Sequence, residues 1–130
     1  MEPVFLQPGE GERIAGDGEL GVTLLADFEE IGVDRVRSQP GGEAPAAHVH
    51  LRHLQCFFVL EGELTFRFED RELRAGRDTW VFEPPDVVHT FVVTGDEPAH
   101  FLDFHVPSCG LRDFVHGLAS ARDEEELRAV

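Results

Sequence analysis

Two periods divide this chain. From Leu20 to Val106 apolar residues recur at alternate positions in short runs, and beyond Pro107 they recur every three to four residues. Alternation marks strands with one buried face, because successive side chains point to opposite sides. Leu20–Phe28 alternates through Val22, Leu24 and Ala26, and Val33–Arg37 is a shorter strand of less distinct facing. Ser38–Pro45 reads as a turn from its Pro and Gly content. A strand carrying His48-Val49-His50 follows, then the apolar run Cys56–Leu60, and Glu61-Gly62 turns the chain into Leu64, Phe66 and Phe68 on one face. Glu72–Arg74, Thr79–Glu83, His89–Val93 and Phe101–Val106 complete the strands, and Pro84-Pro85, which cannot donate to a ladder, falls at a strand end. Asp103 and His105 share one face of the last strand and could be pocket polar groups, but their opposite neighbours Leu102, Phe104 and Val106 better fit the core face.

Short strands with turns every eight to twelve residues predict an all-β sandwich or barrel. The organisation expected is an irregular arm over residues 1–20 with one short strand near Val4–Leu6, a barrel over 21–107, and a helical tail over 108–130. In that tail Leu111, Phe114, Val115 and Leu118 follow i, i+3, i+4, i+7, the pattern of an amphipathic helix, and Ser120 can cap a second short one.

Charge narrows the partners. With 26 acidic and 11 basic residues the net charge is −15, which argues against nucleic acid and anionic membranes, since both select basic patches. No apolar run is long enough to span a bilayer and Met1-Glu2-Pro3 does not open a signal peptide. Cys56 and Cys109 show no metal-type pairing and suit a reducing compartment, so the expected location is the cytoplasm. Every base is Arg, which excludes Schiff-base chemistry on lysine, and there is no Tyr to act as a phenolic acid.

The candidate chemistry lies in the histidines. His48 and His50 are two apart, so on a strand they converge on one point, and neutral imidazole is a common ligand of divalent metals. Gln55 and His89 complete a set of three imidazoles and one amide oxygen. The competing reading is of buried, hydrogen-bonded histidines, with Gln55 a hydrogen-bonding support rather than a ligand. His53 is out of phase with the pair and is expected at the surface or rim, while His100, His105 and His116 are expected to be structural or exposed. Cys56 should face away from Gln55 as a core thiol. Phe57 and Phe91 share parity with Gln55 and His89 and either line a pocket or pack in the core.

These residues resemble the cupin superfamily. Its first motif is Gly, five residues, His-x-His, three or four residues, Glu, six residues, Gly. Gly42, His48, His50, Gln55 and Gly62 fall on that spacing, with Gln55 in place of Glu. Of the second motif, Gly then Pro-x-Gly-x-x-His with a later Asn, the chain matches Gly76, Pro84 and His89. Gly76 is two residues too distant, Asp86 replaces a Gly, and Val93 stands at the Asn. The resemblance spans roughly Gly21–Pro107 and is nearest to single-domain Cupin_2-type chains of the quercetin-dioxygenase-like branch. It implies a jelly-roll barrel with a short helical tail and one divalent metal ion per chain (Fe, Ni, Mn, Zn or Co) held by His48, His50, Gln55 and His89.

Three imidazoles and an amide would leave that metal its full double charge, which favours an anionic or enolisable ligand. The implied function is a metal-dependent enzyme, dioxygenase-like or isomerase-like, acting on a small organic molecule. The alternative is a binding or sensing cupin without turnover. A homodimer is expected, because exposed sheet edges invite pairing.

Overall fold

The structure is a computed structural model that describes residues 2–16, 18, 20–41, 53–68, 70–87 and 89–120. Nine strands and one helix follow in order: β1 (Glu12–Ala15), β2 (Gly21–Asp27), β3 (Gly32–Ser38), β4 (Leu54–Glu61), β5 (Glu63–Phe68), β6 (Arg71–Ala75), β7 (Trp80–Glu83), β8 (His89–Thr94), β9 (Ala99–Val106) and α1 (Leu111–Ser120). They form a six-stranded antiparallel sheet, β1-β2-β3-β9-β4-β7, and a three-stranded sheet, β6-β5-β8. This is the jelly-roll expected from the sequence, built as two facing sheets without continuous closure. The arm's strand lies at Glu12–Ala15, pairing with β2, and not at Val4–Leu6, which extends without sheet partners.

The side chains between the sheets are sorted by height. At one end Phe57, Val59, Leu64, Phe66, Ala99 and Phe101 are almost wholly buried and enclose Phe91. The rings of Phe57 lie 4.9 Å from Phe66, 5.4 Å from Phe91 and 5.9 Å from Phe101, in tilted or edge-on geometry. At the other end the buried side chains are polar.

The face expected for β9 is reversed. Phe101, Asp103 and His105 point inward, whereas Leu102, Phe104 and Val106 are half-buried or exposed on the outer side. Hydrophobicity misleads here because the outer face of this sheet is itself aromatic, with Trp80 beside Phe58, Phe82 and Phe104.

Backbone geometry accounts for two departures from the family's second motif. Asp78, where a correctly spaced glycine would stand, has φ 64°, and Asp86, at the other glycine place, has φ 70°. Asp is among the few residues that tolerate this left-handed region. Gly76 has no such need. Gly62 does: its φ is 80° and a Cβ there would lie 2.6 Å from the Pro98 carbonyl oxygen.

The tail docks through α1. Ser108 caps it, accepting the Leu111 N–H at 3.1 Å, while its hydroxyl donates to Asp27. Leu111 and Val115 pack on Leu24 in a second cluster. A second helix after Ser120 would lie outside the described residues. The fit at Gly32 is tight, since a Cβ there would stand 2.7 Å from Leu111 Cβ and Ser108 Oγ. Gly32→Ala should therefore destabilise the fold by about 1–3 kcal/mol, the usual range for overpacking a closed site. Urea unfolding should show a lower midpoint at unchanged slope; an unchanged midpoint would mean that α1 does not rest on Gly32.

Candidate functional site

The polar end of the interior is assembled by register. Across the six-stranded sheet Asp34 pairs with Asp103, which pairs with Phe57; one step along, Gly32 pairs with His105, which pairs with Gln55, and Gln55 with Glu83. From the facing sheet, β8 opens with His89. Asp34, Gln55, Glu83, His89, Asp103 and His105 are all buried.

Asp103 is the hub. Its Oδ1 accepts a 2.8 Å hydrogen bond from Gln55 Nε2, and its Oδ2 lies 3.2 Å from His105 Nε2. Burial alone would raise its pKa, but His105 and the bonds from His105, Gln55 and Asp34 outweigh that and hold it below the ordinary carboxylate value. Asp34 moves the opposite way: burial first, then the charge of Asp103, raises it well above its ordinary value. The two carboxyls are hydrogen-bonded to each other, and burial beside a second carboxyl favours the protonated form of Asp34.

A second pair stands beside it. His89 Nδ1 is 3.0 Å from the Val87 carbonyl, which can only accept, so Nδ1 carries a proton. Nε2 lies 2.9 Å from Glu83 Oε2. Burial raises Glu83 above its ordinary value, with His89 opposing.

The bond to Asp103 fixes the Gln55 amide, because its nitrogen must face a carboxylate. Its oxygen is then buried with no hydrogen-bond donor among the described residues. An orphaned amide oxygen, and an imidazole nitrogen that faces Glu83, are donor types that suit a divalent cation. His48, His50 and Gly42 lie outside the described residues. Among the described residues no cluster of three or more His, Cys, Asp or Glu side chains is gathered closely enough to hold a metal by itself.

Several sequence expectations change at this point. His53 is buried, with its ring centroid 4.5 Å from that of His105, not at the rim. His105 is fully buried at the site, and Asp103 anchors it. The charge argument from Gln55 also changes: the carboxylate missing at position 55 is supplied by Glu83 one strand away and by Asp103, so the site does not lack a carboxylate. Asp103, with His105, was an open candidate for a pocket polar group and does lie in this layer, whereas Glu83 was not legible as a site residue; the sparse acids on otherwise apolar β7 and β9 were the available signal. Phe57 and Phe91 pack within the apolar cluster directly beneath this layer. Cys56 is buried, and burial followed by the charge of Asp103 pushes its thiol up to about 11, so it stays protonated at neutral pH. His100 accepts from Arg37 at 3.0 Å, and burial and the neighbouring arginines lower its pKa; His116 is exposed.

Two sheets enclosing histidine, glutamine and carboxylate at one end define a small jelly-roll protein with a polar interior site. The cupin domain family (Cupin_2) matches residues 34–105, and the chain belongs to that family. It is 28% identical over 91 residues to quercetin 2,3-dioxygenase of Bacillus subtilis strain 168, covering 68% of this chain but only 27% of that enzyme. Among solved structures it is similar to KdgF from Halomonas sp., with TM-score 0.73 and 17% identity over 85% of this chain and 99% of the other. It is likewise similar to an RmlC-like cupin of Shewanella frigidimarina NCIMB 400, with TM-score 0.70 and 22% identity over 85% and 96%. These likenesses establish the fold. Among the described residues no helix is long and apolar enough to cross a membrane.

The Asp34–Asp103 pair makes a prediction about stability. Unfolded, Asp34 ionises near its ordinary value of 3.8; folded, it keeps its proton to higher pH. A folded pKa above the unfolded one gives stability that is complete below 3.8 and declines as pH rises toward the folded value. Asp34→Asn preserves an N–H donor toward Asp103 without titrating. Its stability relative to wild type should therefore increase as pH rises above the ordinary value of 3.8 in urea unfolding. Parallel profiles would mean that Asp34 is already ionised in the fold.

Proposed function

We propose that this cupin is a metal-dependent enzyme that moves a proton on a small, enolisable, anionic organic molecule. The observation that carries this reading is the buried layer in which Asp103 stands between Gln55, His105 and Asp34, next to the Glu83–His89 pair. The metal would be held by His48, His50, Gln55 and His89. When bound, it supplies Lewis-acid stabilisation of a developing enolate oxygen.

The chain's own residues supply the proton traffic. Asp103 is the candidate base: His105, Gln55 and Asp34 hold its pKa below the ordinary carboxylate value, and its orientation is fixed by Gln55 and His105. It takes a proton from a carbon next to a carbonyl, leaving the electron pair as an enolate. Protonation at a different atom then completes an isomerisation with no net gain or loss of atoms. Burial excludes water from the layer, and the Phe57–Phe91 floor closes it from below. Likeness to a dioxygenase keeps oxygen insertion into such an enolate as the second chemistry for the same site.

Protein purified without added metal should contain close to one divalent ion per chain, and His89→Ala should lose it. In heavy water the metal-loaded protein should incorporate deuterium into the carbon acid of pyruvate or 2-oxobutyrate. Asp103→Asn should slow that exchange by about 100-fold or more, the usual weight of a positioned base, while keeping its metal. Binding of these acids, seen as thermal stabilisation, without any exchange above His89→Ala would identify a binding cupin without turnover and overturn the enzymatic reading.

Gln55 gives a separate prediction. Gln55→Glu adds a carboxylate beside Asp103 and Glu83. It should tighten metal binding and weaken the affinity of the loaded protein for malonate by about tenfold, or roughly 1.4 kcal/mol. Equal malonate affinities in titration calorimetry would show that residue 55 does not tune the metal's charge.

A further inference from the structure

The chain passes from one sheet to the other between β6 and β7, and a cavity of about 580 Å³ is lined from both strands. Gln55, Glu83, His89 and Asp103 do not line it, so it is separate from the polar layer described above. The end at the connecting turn is fixed. Asp78 N–H donates to the Val59 carbonyl at 2.8 Å, Val59 N–H to the Thr79 carbonyl at 3.1 Å, and Thr79 N–H to the Gly76 carbonyl at 3.2 Å, which pins the turn to β4. Ala75 and Val81, both part of the apolar core, back the cavity.

Its walls carry apolar surface that the fold itself does not use. Leu73 is 40% exposed, Trp80 51% and Phe82 61%, and these are three of the seven large apolar residues exposed among the described residues. Single exposed apolar residues need no explanation, but a cluster around one cavity marks a place of recognition. Trp80 is braced by its neighbours, with its ring centroid 4.5 Å from that of Phe58 and 5.9 Å from those of Phe82 and Phe104. The aromatic wall is therefore preformed, and a flat ring can rest on it without ordering further side chains. The volume lies within the range of sites for small organic molecules, about 300–1,000 Å³.

Charge sets the ligand's polar group. The chain has 26 acids against 11 arginines, yet Arg71 and Arg74 line this cavity and neither forms an ion pair among the described residues. Arg67 on β5, by contrast, is paired with Glu72 at 2.9 Å. Uncommitted guanidinium groups beside an apolar wall favour a carboxylate, whose two oxygens match their fork of donors. Asp70 and Asp86 also border the cavity and balance the two positive charges. They admit one negative charge and repel a second.

We infer that the β6–β7 cavity binds a small aromatic monocarboxylic acid, with its carboxylate held by Arg71 and Arg74 and its ring laid against Trp80 and Leu73. The site is additional to the metal-dependent chemistry proposed above and does not depend on it.

Trp80 is the chain's only tryptophan and there is no tyrosine, so indole emission reports on this cavity alone. With 3-phenylpropionate as the probe, Trp80 emission should shift to the blue and saturate with a dissociation constant of about 1 mM or tighter. 3-Phenylpropionamide keeps the ring and loses the charge, and should bind about tenfold more weakly. The double variant Arg71→Gln, Arg74→Gln should lose affinity for the acid by a similar factor of about ten. Both arginines are exposed, so the far-UV circular dichroism of that variant should match wild type. Treatment with EDTA should leave binding unchanged, which separates this cavity from a metal ion that captures carboxylates. An emission spectrum that the probe does not move would overturn the inference. So would equal affinities for acid and amide, or binding that EDTA abolishes and the arginine variant retains. Emission that follows protein concentration and ignores the probe would assign the cavity to a second copy of the chain, and would overturn it as well.

Discussion

Much of this molecule depends on the buried contact between two carboxyls, Asp34 on β3 and Asp103 on β9. Two ionised carboxylates in that position would repel in a medium of low dielectric, and desolvating both would be costly. One carboxylate, hydrogen-bonded by Gln55 and His105 and by a neutral Asp34, is a tolerable buried charge. The arrangement requires β3, β9 and β4 to lie side by side in their observed register, because Asp34, Asp103 and Gln55 come from three different strands. A one-residue slip would place these groups on the outer face and bury Leu102 and Phe104 instead.

The interior is accordingly divided. The lower half is held by aromatic and aliphatic packing among Phe57, Phe66, Phe91 and Phe101, which is tolerant of detail and supplies most of the driving force. The upper half is held by hydrogen bonds centred on Asp103 and leaves the Gln55 amide oxygen without a donor among the described residues. The division is useful to a catalyst: a rigid apolar floor fixes strand ends whose polar side chains need accurate placement. It also concentrates the groups of unusual proton affinity, Asp34, Glu83 and Asp103, in one layer.

The outer surface follows a different logic. Aromatic residues on β4, β7 and β9 make the exterior of the large sheet more apolar than a lone domain requires, and this inverted the facing expected for β9. The alternation was real, but alternation identifies two faces without saying which is inside. Asp103 and His105 are inside because they find partners there, a fact of three-dimensional neighbourhood.

The sequence by itself determined most of the described strands from β2 to β9, the amphipathic helix at Leu111 and the family frame, because these depend on local period, turn chemistry and residue spacing. It also singled out Gln55 and His89, whose positions in that frame set them apart. Only the tertiary structure decided that the arm's strand is Glu12–Ala15, that Asp78 and Asp86 take the left-handed places of glycine, and that His53 and His105 are buried ring against ring in tilted geometry. It alone brought Glu83 beside His89 and Asp34 beside Asp103. The reason is physical: a carboxylate's role is set by the charges and donors within a few ångströms of it, and here those neighbours come from strands far apart in the chain.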